Sequence, residues 1–250
     1  MTIIAFAGPS LSAEDRRAFG SVVWKPPAEA GDLLRLDIDA ATRFCLIDGY
    51  FDHRPAVRHK EILLLLSEGV RMFGASSIGA LRAAEMGGFG LTGVGAIYRA
   101  YSRGTLVGDD EVALVHTSSE WDWRPLSLPL VDVRATICRM RAREAIGAGE
   151  ARALLDAAAD IHYVDRTWSL IVEAAGLPAR EPLLKQWAVE QKRLDARECL
   201  HMAIEDTSAA PARPVMVRTM FLDWLATECA VDLDMRCRLS PPGQSDSVAD

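Results

Sequence analysis

The stretch "RMFGASSIGALRAAEM" (Arg71–Met86) passes from an apolar, strand-like run through a turn of tiny residues into a helical pattern. A strand that feeds a helix directly is the repeating unit of a layered α/β domain. Reading upstream, "AVRHKEILLLLSEG" predicts a helix with Pro55 near its start, and "RFCLIDGYF" predicts a buried strand ending at Asp48-Gly49. "SVVW" reads as another strand. "TIIAFAG" reads as the first, closed by Gly8-Pro9, with Ser12 at the N-cap of a helix over "AEDRRAF". The predicted order is β-α-β-β-α-β-α, with a short extra helix expected at "AEAGDLLRL". Downstream, "GGFGLTGVGAIYRAY" turns helical after a glycine-rich start, and "DDEVALVH" reads as a late strand.

Composition changes near "RPLSLPL" (Arg124–Leu130). From Val131 to about Glu228 the chain is rich in Ala, Leu and Arg at helical spacing. It is broken at Gly147-Gly149, around Asp165, at Gly176-Pro178 and in "SAAPARP", which predicts four or five helices. The fold class is therefore α/β: a layered, Rossmann-like catalytic part over residues 1–125 and a helical part over 126–237. Residues 238–250 have the composition of a disordered tail.

Half of the 250 residues are hydrophobic, enough for a sizeable core. The 28 Lys and Arg against 35 Asp and Glu give a net charge of -7, which argues against general binding to nucleic acid or acidic lipid. The longest apolar run, "ILLLL", is far short of the roughly 18 residues that a membrane helix requires. With no signal-peptide pattern at "MTIIAFAGPS", the chain reads as cytoplasmic. Cys45, Cys138, Cys199, Cys229 and Cys237 are widely spaced, without a CxxC pair, and read as reduced thiols. No residue pattern calls for a metal or an organic cofactor.

Two readings compete for the paired serines. Ala75-Ser76-Ser77-Ile78-Gly79 has the small-x-Ser-x-Gly form of a nucleophile elbow, in which the serine oxygen faces the first amides of the following helix. Equally, one serine could simply cap that helix. Ala80, Ala83, Ala84, Gly87 and Gly88 form a stripe of tiny side chains suited to close packing, and Arg82 can pair with Glu85 at i, i+3. A serine nucleophile needs a base. Lys60, with Val57, Leu63 and Leu64 at i-3, i+3 and i+4, is the candidate, because apolar surroundings make a lysine less basic. The same neighbours also suit a snorkelling surface lysine. His116 could reach the top of the sheet from the end of its run, while His53, His59, His162 and His201 read as peripheral. Asp48 fits either a residue orienting Lys60 or an ordinary turn aspartate.

Taken together and in order, "AGPSLS", "LIDGYF", "VRHKEIL", "GASSIGALRAAEM", "GVGAIYRAY", "DDEVALVH" and "PLSLPLVDVRAT" resemble the TfuA-like family, with a weaker echo in "QKRLDA" (Gln191–Ala196). The resemblance implies a role in peptide backbone thioamidation beside a YcaO enzyme, which activates the amide with ATP. It further implies a hydrolase-like Ser-Lys site that cleaves the C-terminal thiocarboxylate of a ThiS-like sulfur carrier to release sulfide. The implied partners are the YcaO-type enzyme, the carrier and the substrate peptide. Carried onto this chain, the nucleophile falls on Ser77, with Ser76 as the alternative, and the lysine on Lys60. Ser76, Asp48, His116 and Arg82 are candidates to line the site. A non-catalytic adaptor that recruits peptide or carrier to YcaO is the competing expectation.

Overall fold

The computed structural model describes residues 2–36, 42–50, 54–208 and 212–234. His53, Cys237 and the tail at 238–250 lie outside the described residues. Five strands, β1 (Ile3–Phe6), β2 (Val22–Lys25), β3 (Arg43–Leu46), β4 (Arg71–Ala75) and β5 (Thr92–Val94), form one parallel sheet in the order β2-β1-β3-β4-β5. Helices α1 (Ala13–Ala18), α2 (His59–Ser67), α3 (Ile78–Met86) and α4 (Gly95–Ser102) lie between and after them, so the predicted succession through α3 is the observed one. In a sheet of this order the strand sequence reverses between β1 and β3, and the crevice beyond their carboxyl ends is where such folds place ligands.

Strand side chains alternate between the two faces of the sheet. Ile4, Phe6, Phe44, Leu46 and Met72 pack with Ile62, Leu65 and Leu66 of α2 and with Ile78, Ala83 and Met86 of α3. Ile3, Ala5, Cys45, Ile47, Phe73 and Ala75 face the other way, against Phe19 and against Ala196, Cys199, Leu200 and Ala203. The last four belong to α9 (Gln191–Glu205). A helix from the far end of the chain thus supplies part of the second layer. The remaining helices α5 (Leu130–Ala142), α6 (Ala148–Asp160), α7 (Trp168–Ala174) and α8 (Glu181–Trp187) enclose their own core around Val133, Ile137, Met140, Leu154, Ile171 and Leu184. With α9 and α10 (Met220–Glu228) this makes six α-helices among the described residues where four or five were expected, the extra one arising from a break at 188–190 that the sequence reading did not mark.

Three expectations are corrected. "DDEVALVH" is not a strand: Asp109–Glu111 form a 3-10 turn, the Val112 carbonyl accepts from Lys192 and the Val115 amide donates to Ser127, and its strand pairing among the described residues is confined to a single antiparallel bridge of His116 with Pro125. In place of a helix at "AEAGDLLRL", residues 29–36 make successive i, i+3 turns. Within the tiny-residue stripe, Ala80 and Ala83 are buried, but Gly87 and Gly88 lie past the end of α3 in the open. The close approach is made at Gly79, where a Cβ would fall 1.8 Å from the Leu46 carbonyl oxygen, and at Gly74, 2.3 Å from that of Gly79. These two glycines let α3 lie directly on β3 and β4 and fix where its first turn begins. Among the described residues no helix is long and apolar enough to cross a membrane.

Candidate active site

The end of β4 turns sharply into α3. Ser76 has φ +68°, a left-handed conformation uncommon for a residue with a side chain, and the Ser77 amide donates to the Ala75 carbonyl at 2.8 Å across it. This is a γ-turn, a strained form that persists only when its surroundings enforce it. The enforcement is visible. Ser76 Oγ lies 2.7 Å from Ser10 Oγ, which donates to Asp48 Oδ1 at 2.6 Å. Asp48 Oδ2 accepts the amides of Gly8 (2.8 Å) and Ser10 (3.0 Å). A buried carboxylate thus ties the turn after β1 to the end of β3, and through Ser10 to the serine pair.

Ser77 occupies the N-cap position of α3 yet makes no side-chain capping bond to that helix. Its hydroxyl is instead engaged by Lys192, whose Nζ sits 3.1 Å from Ser77 Oγ, 2.8 Å from the Val112 carbonyl and 3.9 Å from Asp48 Oδ1. Lys192 is buried, and burial pushes the ammonium down from its ordinary pKa, partly opposed by the charges of Asp48 and Asp132. Nζ donates to both the Val112 carbonyl and Ser77 Oγ, and an amine made less basic by burial needs only to give up one proton to offer its lone pair to that hydroxyl, the arrangement of a base on a nucleophile.

Why Lys192 arrives at this point follows from the sequence "QKRLDA". Gln191 bonds its own helix at Asp195 (2.7 Å). Arg193 grips Asp15 of α1 at 2.7 and 3.1 Å. Asp195 accepts the Ile97 amide at 2.7 Å, capping α4 from outside, and Ala196 joins the core. α9 has no cap of its own at Glu190; Asp132 of α5 accepts the Lys192 amide at 3.0 Å, and Thr136, one turn along α5, accepts the Val189 amide at 2.9 Å. Two α5 residues therefore hold the chain on either side of the point where α9 begins.

The other sequence candidates separate clearly. Lys60 does not join the serines: on α2 its Nζ donates to the Val217 carbonyl at 3.2 Å, at the surface. Apolar neighbours along a helix do not place a side chain in the site: Lys60 stands at the half-buried start of α2, and the helix is buried on every side only from Glu61 to Leu66. Arg82 pairs with Glu85 (2.7 Å), as its spacing predicts, and donates to the Val57 carbonyl (3.1 Å), pointing it toward α2 rather than the site. Asp48, Ser77 and His116 are brought together with Lys192 as lining of one cavity of about 180 Å³. Ser76 is fully buried behind it. A second, larger depression of about 470 Å³ meets the first at Pro9, Leu114 and Lys192 and has Trp121, Trp123 and Trp168 on its walls. Ser10 and Lys192 are the residues that sequence reasoning did not single out. Among the described residues no cluster of His, Cys, Asp or Glu is disposed to hold a metal ion.

Residues 48–167 match the family model described as TfuA-like protein, and over that stretch the chain is TfuA-like. The segment begins at Asp48 and includes both serines, Val112 and His116; Ser10 and Lys192 lie on either side of it. The family is tied to thioamidation systems that contain a YcaO-type enzyme. No curated protein matches the chain.

Proposed function

We propose that this chain hydrolyses the C-terminal thiocarboxylate of a ThiS-like sulfur carrier, with Ser77 as nucleophile and Lys192 as its base, supplying sulfide to a YcaO-type partner that thioamidates a peptide. The observation that carries the reading is the 3.1 Å contact between Lys192 Nζ and a Ser77 hydroxyl that caps nothing. Lys192 takes the Ser77 proton as Oγ attacks the carbonyl carbon. The thiocarboxylate is already anionic, so the tetrahedral stage carries a second negative charge, which the positive end of the α3 dipole stabilises. Lys192 passes its proton to sulfur, the C–S bond breaks, and HS⁻ leaves an acyl ester on Ser77 that water then cleaves. Ser76, fixed by Ser10, holds the turn.

The test is sulfide release from a purified carrier thiocarboxylate by the wild type, Ser77→Ala and Lys192→Ala, with folding checked by circular dichroism. Release by the wild type and its loss in both variants is expected. Variants that still support peptide thioamidation with the YcaO-type enzyme would instead favour an adaptor, since recruitment makes no demand on a serine hydroxyl.

A further inference from the structure

Ser77 and Lys192 account for acylation, but the ester also has to meet a water, and the cavity holds one more group able to move a proton there. The side chains lining it are not equivalent. Asp48 already accepts from two amides and a hydroxyl. Arg54 is a permanent cation paired with Glu29 at 3.2 Å and stacked over Tyr50 at 4.6 Å. The hydroxyls of Tyr50 and Tyr163 are far weaker bases than an imidazole. Lys192 lies against the oxygen of Ser77 itself, the leaving atom when the ester is cleaved. That position suits handing a proton back to Oγ, and a second base on the cavity wall can draw the proton from the incoming water while Lys192 does so. His116 remains.

Its ring is held in a defined form. Nδ1 lies 2.7 Å from the Thr117 carbonyl, which can only accept, so Nδ1 carries the proton and Nε2 of the neutral ring carries the lone pair. The ring packs beside Tyr50, with centroids 6.1 Å apart. The segment that carries it is clasped on both sides, by Leu126 N to the Val115 carbonyl (2.7 Å) and Thr117 N to the Arg124 carbonyl (2.9 Å). The site therefore contains a fixed imidazole, with a free ring nitrogen, on the wall of the cavity that Ser77 and Lys192 also line.

We infer that His116 is the general base of deacylation, taking a proton from the water that cleaves the acyl-Ser77 ester. The inference rests on Ser77 being the nucleophile. The water oxygen bonds to the acyl carbon as one of its protons passes to His116 Nε2. The C–Oγ bond breaks as the second proton reaches Oγ by way of Lys192. The carrier leaves as a carboxylate, and His116 releases its proton to solvent.

The experiment is rapid mixing of the carrier thiocarboxylate with wild type, His116→Gln and Ser77→Ala, following sulfide and taking intact-protein masses. His116→Gln is expected to give a burst of about one sulfide per chain and then a steady rate lower by about 10²-fold, with carrier covalently attached to the enzyme. His116→Ala should behave likewise, and added imidazole should raise its steady rate. A wild-type steady rate in His116→Gln, or a slow rate with no attached carrier, overturns the assignment while Ser77→Ala remains inactive. Wild-type release by Ser77→Ala overturns the hydrolase reading itself.

Discussion

Lys192 Nζ and Ser77 Oγ meet at 3.1 Å although 115 positions separate the two residues in the chain. One stands at the first turn of α9 and the other at the N-cap of α3, on opposite layers of the sheet. The pair forms only because both helices are fixed where they enter the space beyond the strand ends. The predictions concern that fixing as much as the chemistry.

Exchanging lysines separates the two candidates for the base. Lys192→Ala should lower sulfide release by about 10²–10⁴-fold, the range for loss of a positioned acid-base group. Lys60→Ala should leave it within about twofold, because its ammonium bonds the Val217 carbonyl at the surface and does not line the cavity of Ser77. Steady-state rates on the carrier thiocarboxylate decide this, and equal losses in the two variants would contradict it.

Gly79→Ala should destabilise the fold by about 3 kcal/mol or more, since the new methyl meets a backbone carbonyl rather than a side chain that can swing away. Gly87→Ala, with open space around its position, should be neutral or slightly favourable. Urea denaturation midpoints compare the two.

Asp132→Ala removes the acceptor that α5 lends to the start of α9 and should cost about 1–2 kcal/mol, as for other lost helix caps. Asp132→Asn keeps an acceptor and should cost less. Sulfide release should fall in the same order, because the residue that loses its anchor is Lys192. Burial pushes the Asp132 carboxyl up to about 7, with the Lys192 amide bond opposing, so the neutral asparagine should be better tolerated than its change of charge suggests.

Asp15 makes stability acid-sensitive. Burial alone would raise its pKa, but hydrogen bonds from Arg193, Ser12 and Arg197 outweigh this and hold the carboxyl well below its ordinary value of 3.8. A depressed folded-state pKa adds stability that is complete above the unfolded value and is lost as pH falls toward the folded one. Melting temperatures should therefore drop as pH is lowered beneath about 4, and Asp15→Asn should be less stable at neutral pH with a shallower acid slope. Equal slopes in the two proteins would remove Asp15 as the cause.

The strand and helix succession through α3 was legible because each strand is a short apolar run closed by a turn residue, as at Gly8-Pro9 and Asp48-Gly49. Ser77 could be found from its small neighbours. Lys192 could not be found by local apolarity, which pointed to Lys60. Its signal was phase: Lys192, Ala196, Cys199, Leu200 and Ala203 are spaced to share one helix face, and that face is buried. A lysine in register with a buried stripe is the more selective mark. "DDEVALVH" misled for a related reason, since Val112 and Ala113 are buried and side chains take backbone bonds of Val112 and Val115, leaving one isolated bridge at His116 where a strand would need a ladder.

The serines, Asp48 and His116 are all encoded before residue 120, whereas the amine that engages Ser77 is encoded at 192, with four helices between. During synthesis the ribosome therefore delivers the Ser77 hydroxyl long before the Lys192 amine. The hydroxyl meets its amine only once α9 has docked, and the same docking closes the second face of the sheet.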